Sequence, residues 1–150
     1  MEEGGQWVGC DRWEFDGEQW NPSDAHGRRQ IRSYRDLDVF NLTYTLAMEV
    51  FRLTIHFPKE ERYSLVDQVQ RSSRSVCANL VEGFARRRHA NVFNNSLNSS
   101  LGESAETKLW LDFASDCGYL TAADHSRMSI GYEQAGAMLW TLMNRWERFK

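Results

Sequence analysis

Apolar and polar residues follow a helical pattern through most of the chain after residue 33. Residues 36–57 contain no glycine or proline, and Pro58 ends this segment. Three further segments of helical length follow at about residues 60–88, 90–117 and 121–149. Short connections between long helices require antiparallel neighbours. The pattern therefore predicts an all-α fold, an up-down-up-down antiparallel four-helix bundle.

The turn between the third and fourth segments has its own local pattern. Gly118 follows Cys117 and suits the left-handed conformation that commonly ends a helix. Thr121 stands three residues before Asp124, which resembles a capping box with aspartate in place of glutamate. The fourth helix is therefore predicted to begin at this threonine.

The fourth segment gives the clearest prediction of core residues. Its large apolar residues are separated alternately by four and three positions, which keeps them on one face of a helix. This predicted core face consists of Met128, Tyr132, Ala135, Leu139, Leu142 and Trp146.

The first segment has two apolar stripes, although a helix in an isolated bundle needs only one. One stripe is Leu37, Phe40, Tyr44, Ala47, Phe51 and Ile55, and we expect it to face the core. The second is Val39, Leu42, Leu46, Val50 and Leu53. We predict that the second stripe is an oligomer interface, because contiguous exposed apolar residues usually mark one. The alternative is a surface helix that exposes some aliphatic side chains. Apolar residues at 109–111 and 113–114 favour self-association.

Residues 1–33 have a different composition. They contain Trp7, Trp13 and Trp20 and four glycines before Asp24, without a sustained helical or strand period. Residues 1–24 carry seven acidic residues against one arginine. We predict a flexible, acidic, tryptophan-rich extension at residues 1–33, followed by the bundle at residues 34–150.

Arginine dominates the basic residues, with fifteen of the eighteen, although the formal net charge is −3. In the second segment, the arginines lie mainly on the side opposite the apolar residues. Arg71 and Arg86 each follow an acidic residue by four positions, which favours a local ion pair. The remaining Arg74, Arg87 and Arg88 are the predicted nucleic-acid-binding residues. The alternative is that the arginines only form surface ion pairs.

No pattern in the sequence indicates catalysis or metal binding. The four histidines lack ligand spacing, and no glutamate has a histidine three residues later. Phosphate-binding glycine loops and nucleophile elbows are absent from the sequence, and Cys77 fits a core position. We expect no catalytic residues, no metal and no cofactor. Without an apolar run of membrane-spanning length or a secretory signal, we expect a cytoplasmic protein.

Several segments resemble the four-helix-bundle proteins encoded in 23S rRNA intervening sequences. They are residues 34–37, 57–65, 68–87, 101–106 and 117–120, within a similarity that covers about residues 34–148. The most specific part is Asn79-Leu-Val-Glu-Gly83 with the arginines that follow it. The resemblance implies a homopentamer. It also implies a relation to pentameric accessory proteins of diversity-generating retroelements, which bind a reverse transcriptase and nucleic acid. No enzymatic activity is established for the family.

We therefore expect a non-enzymatic oligomer with RNA, DNA or a reverse transcriptase as a partner, and no membrane association. The alternative function is a protein–protein interaction scaffold with no nucleic-acid role.

Overall fold

The computed structural model describes residues 31–146, and four helices make up most of this region. They are α1 (Asp38–Thr54), α2 (Leu65–Ala85), α3 (Ala90–Asp116) and α4 (Ala122–Arg145). Short 3₁₀ turns at Tyr34–Asp36 and Lys59–Glu61 precede α1 and α2. The predicted extension lies outside the described residues up to residue 30, as do residues 147–150.

The helices pack in the order in which they follow one another. Each contacts the next helix along the chain, and α4 returns to contact α1. Within residues 31–146, the backbones of the diagonal pairs α1–α3 and α2–α4 do not approach within 8 Å between Cα atoms, so these pairs meet only through side chains in the core. The predicted all-α, antiparallel four-helix bundle is confirmed. One end of the bundle therefore holds the starts of α1 and α3 with the ends of α2 and α4, and the opposite end holds the other four termini.

The second helix is shorter than the sequence pattern predicts. Its first predicted turn is instead a loop and a 3₁₀ turn that follow Pro58, and its last predicted turn connects it to α3. The helix stop at Gly118 and the cap at Thr121 were both predicted correctly. Gly118 has a φ of +81°, and the Thr121 hydroxyl accepts a hydrogen bond from the Asp124 N–H at 3.1 Å.

The predicted core face of α4 is buried along its whole length. Each of its six residues, from Met128 to Trp146, is at most 7% exposed. The apolar face of α2 packs against it, with Val69, Val76 and Leu80 almost fully buried. A regular spacing of large apolar residues was sufficient to identify these faces.

The prediction for the second stripe of α1 is wrong. Val39, Leu42, Leu46 and Val50 are at most 4% exposed within a single bundle, and Leu53 packs against the same core. They cannot form a surface between copies. The exposed apolar residues belong instead to the stripe that was expected to face the core, where Phe51 is 41% and Ile55 is 62% exposed.

The two neighbours of α1 determine which stripe points inward. On the α2 side, Thr54 accepts a hydrogen bond from Gln70, and the Cys77 thiol lies 3.6 Å from the Thr43 hydroxyl. On the α4 side, Glu49 pairs with Arg127 at 2.7 Å. The second stripe lies between these contacts and therefore faces the core, whereas Phe51 and Ile55 lie outside them.

Helices α2 and α3 pack closely because small side chains line their contact. Buried Thr107 donates a hydrogen bond to the Ser72 hydroxyl at 2.8 Å, and buried Ser100 donates to the Val76 carbonyl at 2.9 Å. Near the end of α2, a Cβ on Gly83 would lie 2.5 Å from the Cβ of Ser96. The polar composition of α3 is thus a packing feature, since its buried hydroxyls are satisfied across or within the helices.

Replacing Gly83 with alanine should destabilise the bundle. The new methyl group has no space against Ser96, and overpacking of this kind costs about 1–3 kcal/mol. We expect a lower free energy of unfolding in chemical denaturation. The Gly83→Ala/Ser96→Gly double variant should recover part of the loss in a double-mutant cycle. Strictly additive effects of the two substitutions would show that this contact is not the cause.

Glu61 joins three segments at the opposite end of the bundle. Its carboxylate accepts hydrogen bonds from the Ser64 hydroxyl at 2.6 Å, the Leu65 N–H at 3.3 Å and the Tyr119 hydroxyl at 3.1 Å. These bonds connect the 3₁₀ turn before α2 with the start of α2 and with the α3–α4 turn. The bond from Ser64, followed by that from Leu65, lowers the pKa of Glu61 below its ordinary value of 4.5.

A lowered carboxyl pKa stabilises the folded state above the ordinary pKa, and this stabilisation is lost as the pH falls through the folded-state pKa. The difference in melting temperature between the wild type and Glu61→Gln should therefore be largest above pH 4.5 and should shrink at lower pH. Glu60→Gln is the matched control, because Glu60 is exposed and adjacent. A difference that stays constant with pH would contradict this role of Glu61.

Candidate nucleic-acid interface

The end of α2 carries three consecutive arginines in a compact turn. The backbone N–H of Arg86 bonds back to Glu82 and Gly83, and the N–H of His89 bonds to the Arg86 carbonyl. Residues 86–89 thus connect α2 to α3 at the same end of the bundle where α4 terminates. The side chains of Arg86, Arg88 and His89 are exposed.

Arg87 is held in a fixed position by the aromatic core beneath it. Its guanidinium centre lies 4.0 Å from the centroid of the Phe84 ring, and its Nη1 donates to the Phe84 carbonyl at 2.9 Å. Phe84 packs edge-on against Trp146 at 6.2 Å, and Trp146 packs against Phe93 at 4.8 Å. The Arg87 guanidinium thus rests on an aromatic cluster to which three helix ends contribute. Because its side chain is already ordered, it loses less conformational entropy when an anion binds.

Arg86 and Arg88 differ in their local partners. Arg86 pairs with Glu82 at 3.3 Å, which is the pair expected from their spacing of four residues. Arg88 has no carboxylate partner among residues 31–146. Because both side chains of the Arg86–Glu82 pair are more than half exposed, the pair is weak and an anion can compete for this arginine.

The third predicted residue, Arg74, lies elsewhere. It is exposed near the middle of α2, eleven residues before Ala85, or about 16 Å along the helix axis. The structure thus brings Arg87 and Arg88 together and leaves Arg74 separate. Arg71 also departs from expectation, because it pairs with Glu103 and Glu106 of α3 and not with Asp67.

Three further arginines reach the end of the bundle that holds residues 86–89. Arg145 precedes Trp146, which contacts Phe84, and Arg32 and Arg35 flank the start of the 3₁₀ turn that contacts both α1 and α2. Spacing along the sequence could not reveal this grouping. The antiparallel order of the helices could have revealed it, since it places these termini together.

Charge is therefore distributed unevenly along the bundle axis. We use the name basic end for residues 31–38, 82–89 and 141–146, which contain six arginines and three acidic residues. The opposite end, residues 49–67 and 109–127, contains four basic and seven acidic residues. A polyanion that approaches the described part of the chain is attracted to the basic end and repelled from the other.

Three features of the described residues bear on metal binding and catalysis. No group of three or more histidine, cysteine or acidic side chains could hold a metal within this region. Burial raises the pKa of the Cys77 thiol from 9.0 to about 11, which keeps it protonated and unreactive at neutral pH. Glu103 and Glu106 are engaged by Arg71. None of the helices between residues 31 and 146 has the length and apolarity needed to cross a membrane.

Comparisons with known proteins agree with the fold. The family described as 23S rRNA-intervening sequence protein matches residues 35–141. A solved structure from Bacteroides thetaiotaomicron, described as a protein with unknown function from the S23 ribosomal protein family, is similar with a TM-score of 0.64 and 22% identity. The similarity covers 71% of this chain and 95% of that chain, and at this identity it supports the fold alone. No curated protein matches the chain.

Proposed function

The chain belongs to the family of 23S rRNA-intervening sequence proteins, and from this premise we propose that it is a non-enzymatic, self-associating bundle whose basic end binds nucleic acid. The observation that carries the proposal is the concentration of six arginines at one end of a bundle whose opposite end is acidic. Arginine forms bidentate contacts with phosphate oxygens, and contacts of this kind supply most of the affinity of sequence-independent binding.

The arginines at the basic end have distinct tasks in this proposal. Arg87 is pre-positioned on the Phe84 ring, so it acts as a fixed cation. Arg88 and Arg145 are exposed and supply further contacts at the same end of the bundle. Arg74 lies too far along α2 to contact the same phosphates, and it serves only a nucleic acid that extends along the side of the bundle.

In this proposal, self-association raises the affinity of the basic end for nucleic acid. A single basic end offers only a few phosphate contacts, whereas an oligomer repeats them and gains from effective concentration. We propose a homopentamer, the state that the resemblance to the intervening-sequence proteins implies. A reverse transcriptase is the protein partner implied by the resemblance to retroelement accessory proteins, and its bound nucleic acid is the ligand proposed for the basic end.

A protein–protein scaffold is the second candidate function. It is favoured by the ion pairs of Arg71 and Arg86, which occupy two arginines, and by the exposed apolar residues on the sides of the bundle. The two functions differ in whether purified protein binds RNA or DNA at low salt.

Binding of a fluorescent oligonucleotide, titrated at several salt concentrations, tests the nucleic-acid function. Arg88→Gln/Arg145→Gln should weaken binding and should reduce the slope of log K against log salt by about 0.9 for each lost contact on duplex DNA. Arg74→Gln should change the slope less. Removal of residues 1–24, with their seven acidic residues and one arginine, should strengthen binding.

Lys59→Gln/Arg62→Gln is the matched control. It removes two exposed cations from the opposite end and should leave the slope unchanged. Equal effects of the two double variants would assign binding to net charge alone. Undetectable binding at low salt, with or without residues 1–24, would favour the scaffold.

A further inference from the structure

Two pairs of exposed apolar side chains lie on the described surface, each pair one helical turn apart. Phe51 and Ile55, the α1 pair, are 41% and 62% exposed. Leu109 and Phe113, the α3 pair, are 50% and 51% exposed. The exposed apolar residues of α4, Ile130 and Trp140, are separated by ten positions and do not form such a pair. Adjacent large apolar side chains in water indicate an interface.

The two pairs are on different sides of the bundle but at the same level along its axis. Helices α1 and α3 are diagonal neighbours whose backbones do not approach within 8 Å between Cα atoms in the described region. Both pairs lie toward the ends of their helices, and the ends of α1 and α3 are at the same end of the bundle. A contact between the α1 pair of one copy and the α3 pair of another therefore allows two bundles of the same polarity to lie side by side along their whole length.

Both pairs also lean toward α2. Phe51 lies three residues before Thr54, whose hydroxyl bonds to Gln70 of α2. Phe113 packs against Trp110 at 5.8 Å, and the Trp110 indole bonds to Glu106, the partner of Arg71 on α2. The two pairs therefore belong to different surfaces, and a contact between them is head-to-tail, which closes a ring when its rotation closes and otherwise extends a filament.

The charges beside the two pairs have opposite signs. Exposed Arg52 lies beside the α1 pair, and exposed Asp112 and Asp116 lie beside the α3 pair. Arg52 also forms an ion pair with Glu49, and Asp112 forms one with His125. Both ion pairs lie on the surface, where a partner can reach them. Because the chain itself carries both halves of a complementary surface, a second copy is the occupant that these charges favour.

Gly102 gives an independent reason to expect close approach at α3. It is exposed in the middle of the helix, two turns before Leu109, and Ala105 lies between them. A Cβ on Gly102 would meet no atom within 4 Å, so packing inside the bundle does not require glycine. Glycine is also a poor helix former compared with alanine. A flat surface at Gly102 and Ala105 permits the α1 helix of a neighbour to approach the α3 backbone closely beside the α3 pair.

We infer that the α1 pair of one copy packs against the α3 face of the next in a head-to-tail contact, with Gly102 at its edge. This inference rests on the self-association in the proposed function and names the surfaces that produce it. Copies joined in this way point in the same direction, so their basic ends lie on the same side of the assembly.

Two variants, each lacking one of the two apolar pairs, test the head-to-tail contact. Phe51→Glu/Ile55→Glu removes the α1 pair, and Leu109→Glu/Phe113→Glu removes the α3 pair. Each variant should be monomeric in light scattering, because every contact then buries unpaired charge. An equimolar mixture should form a one-to-one dimer and no larger species, since it retains one intact pair of surfaces. Helical circular dichroism checks that each variant folds.

Ile130→Glu/Trp140→Glu is the matched control and should keep the wild-type size. Gly102→Leu should weaken self-association by about tenfold or more while leaving the bundle folded. A monomeric wild type at tens of micromolar would overturn both self-association and this inference. A wild-type oligomer that survives either double substitution, or variants whose mixture stays monomeric, would overturn this inference alone.

Discussion

The close contact between α2 and α3 is the interaction on which the other features of the bundle depend. Glycine, serine and threonine line it, so the two helices approach closely and their buried hydroxyls bond to one another and to backbone carbonyls. At one end, this approach brings Phe84 and Phe93 onto Trp146 and thereby fixes Arg87. Near the middle, it brings Arg71 to two glutamates. A larger residue at Gly83 would separate the helices and disturb both groups.

The titratable side chains buried in the core of the bundle are held in their neutral forms. Burial raises the pKa of Cys77 and raises that of Tyr132 well above its ordinary value, which keeps both groups neutral. The chemically useful groups within the described residues are therefore on the surface. Arginines are concentrated at one end, and paired apolar residues lie on the sides. The proposed binding at the end and the proposed assembly through the sides do not compete for the same residues.

The grouping of side chains at the candidate site could be predicted from the sequence only in part. The spacing of Glu82 and Arg86 predicted their ion pair, because residues four apart on a helix are neighbours whatever the fold. Arg87 and Arg88 could be proposed together because they are consecutive and neither has a carboxylate four residues before it. Arg145, Arg32 and Arg35 could not be added from their spacing, since they join this group only through the antiparallel order of the helices. Spacing also failed for Arg71. It predicted an ion pair with Asp67 on the same helix, whereas Arg71 pairs with two carboxylates on the facing helix α3.

The sequence by itself determined the helices, the turn at Gly118, the cap at Thr121 and the core face of α4, because each follows from the local backbone or from a single apolar stripe. Only the tertiary structure decided which stripe of α1 is buried. Both stripes are apolar, and their spacing is equally helical, so no local property distinguishes them. The positions of α2 and α4 make the choice: Gln70 and Cys77 on one side and Arg127 on the other turn Leu46 and Val50 inward and leave Phe51 and Ile55 exposed.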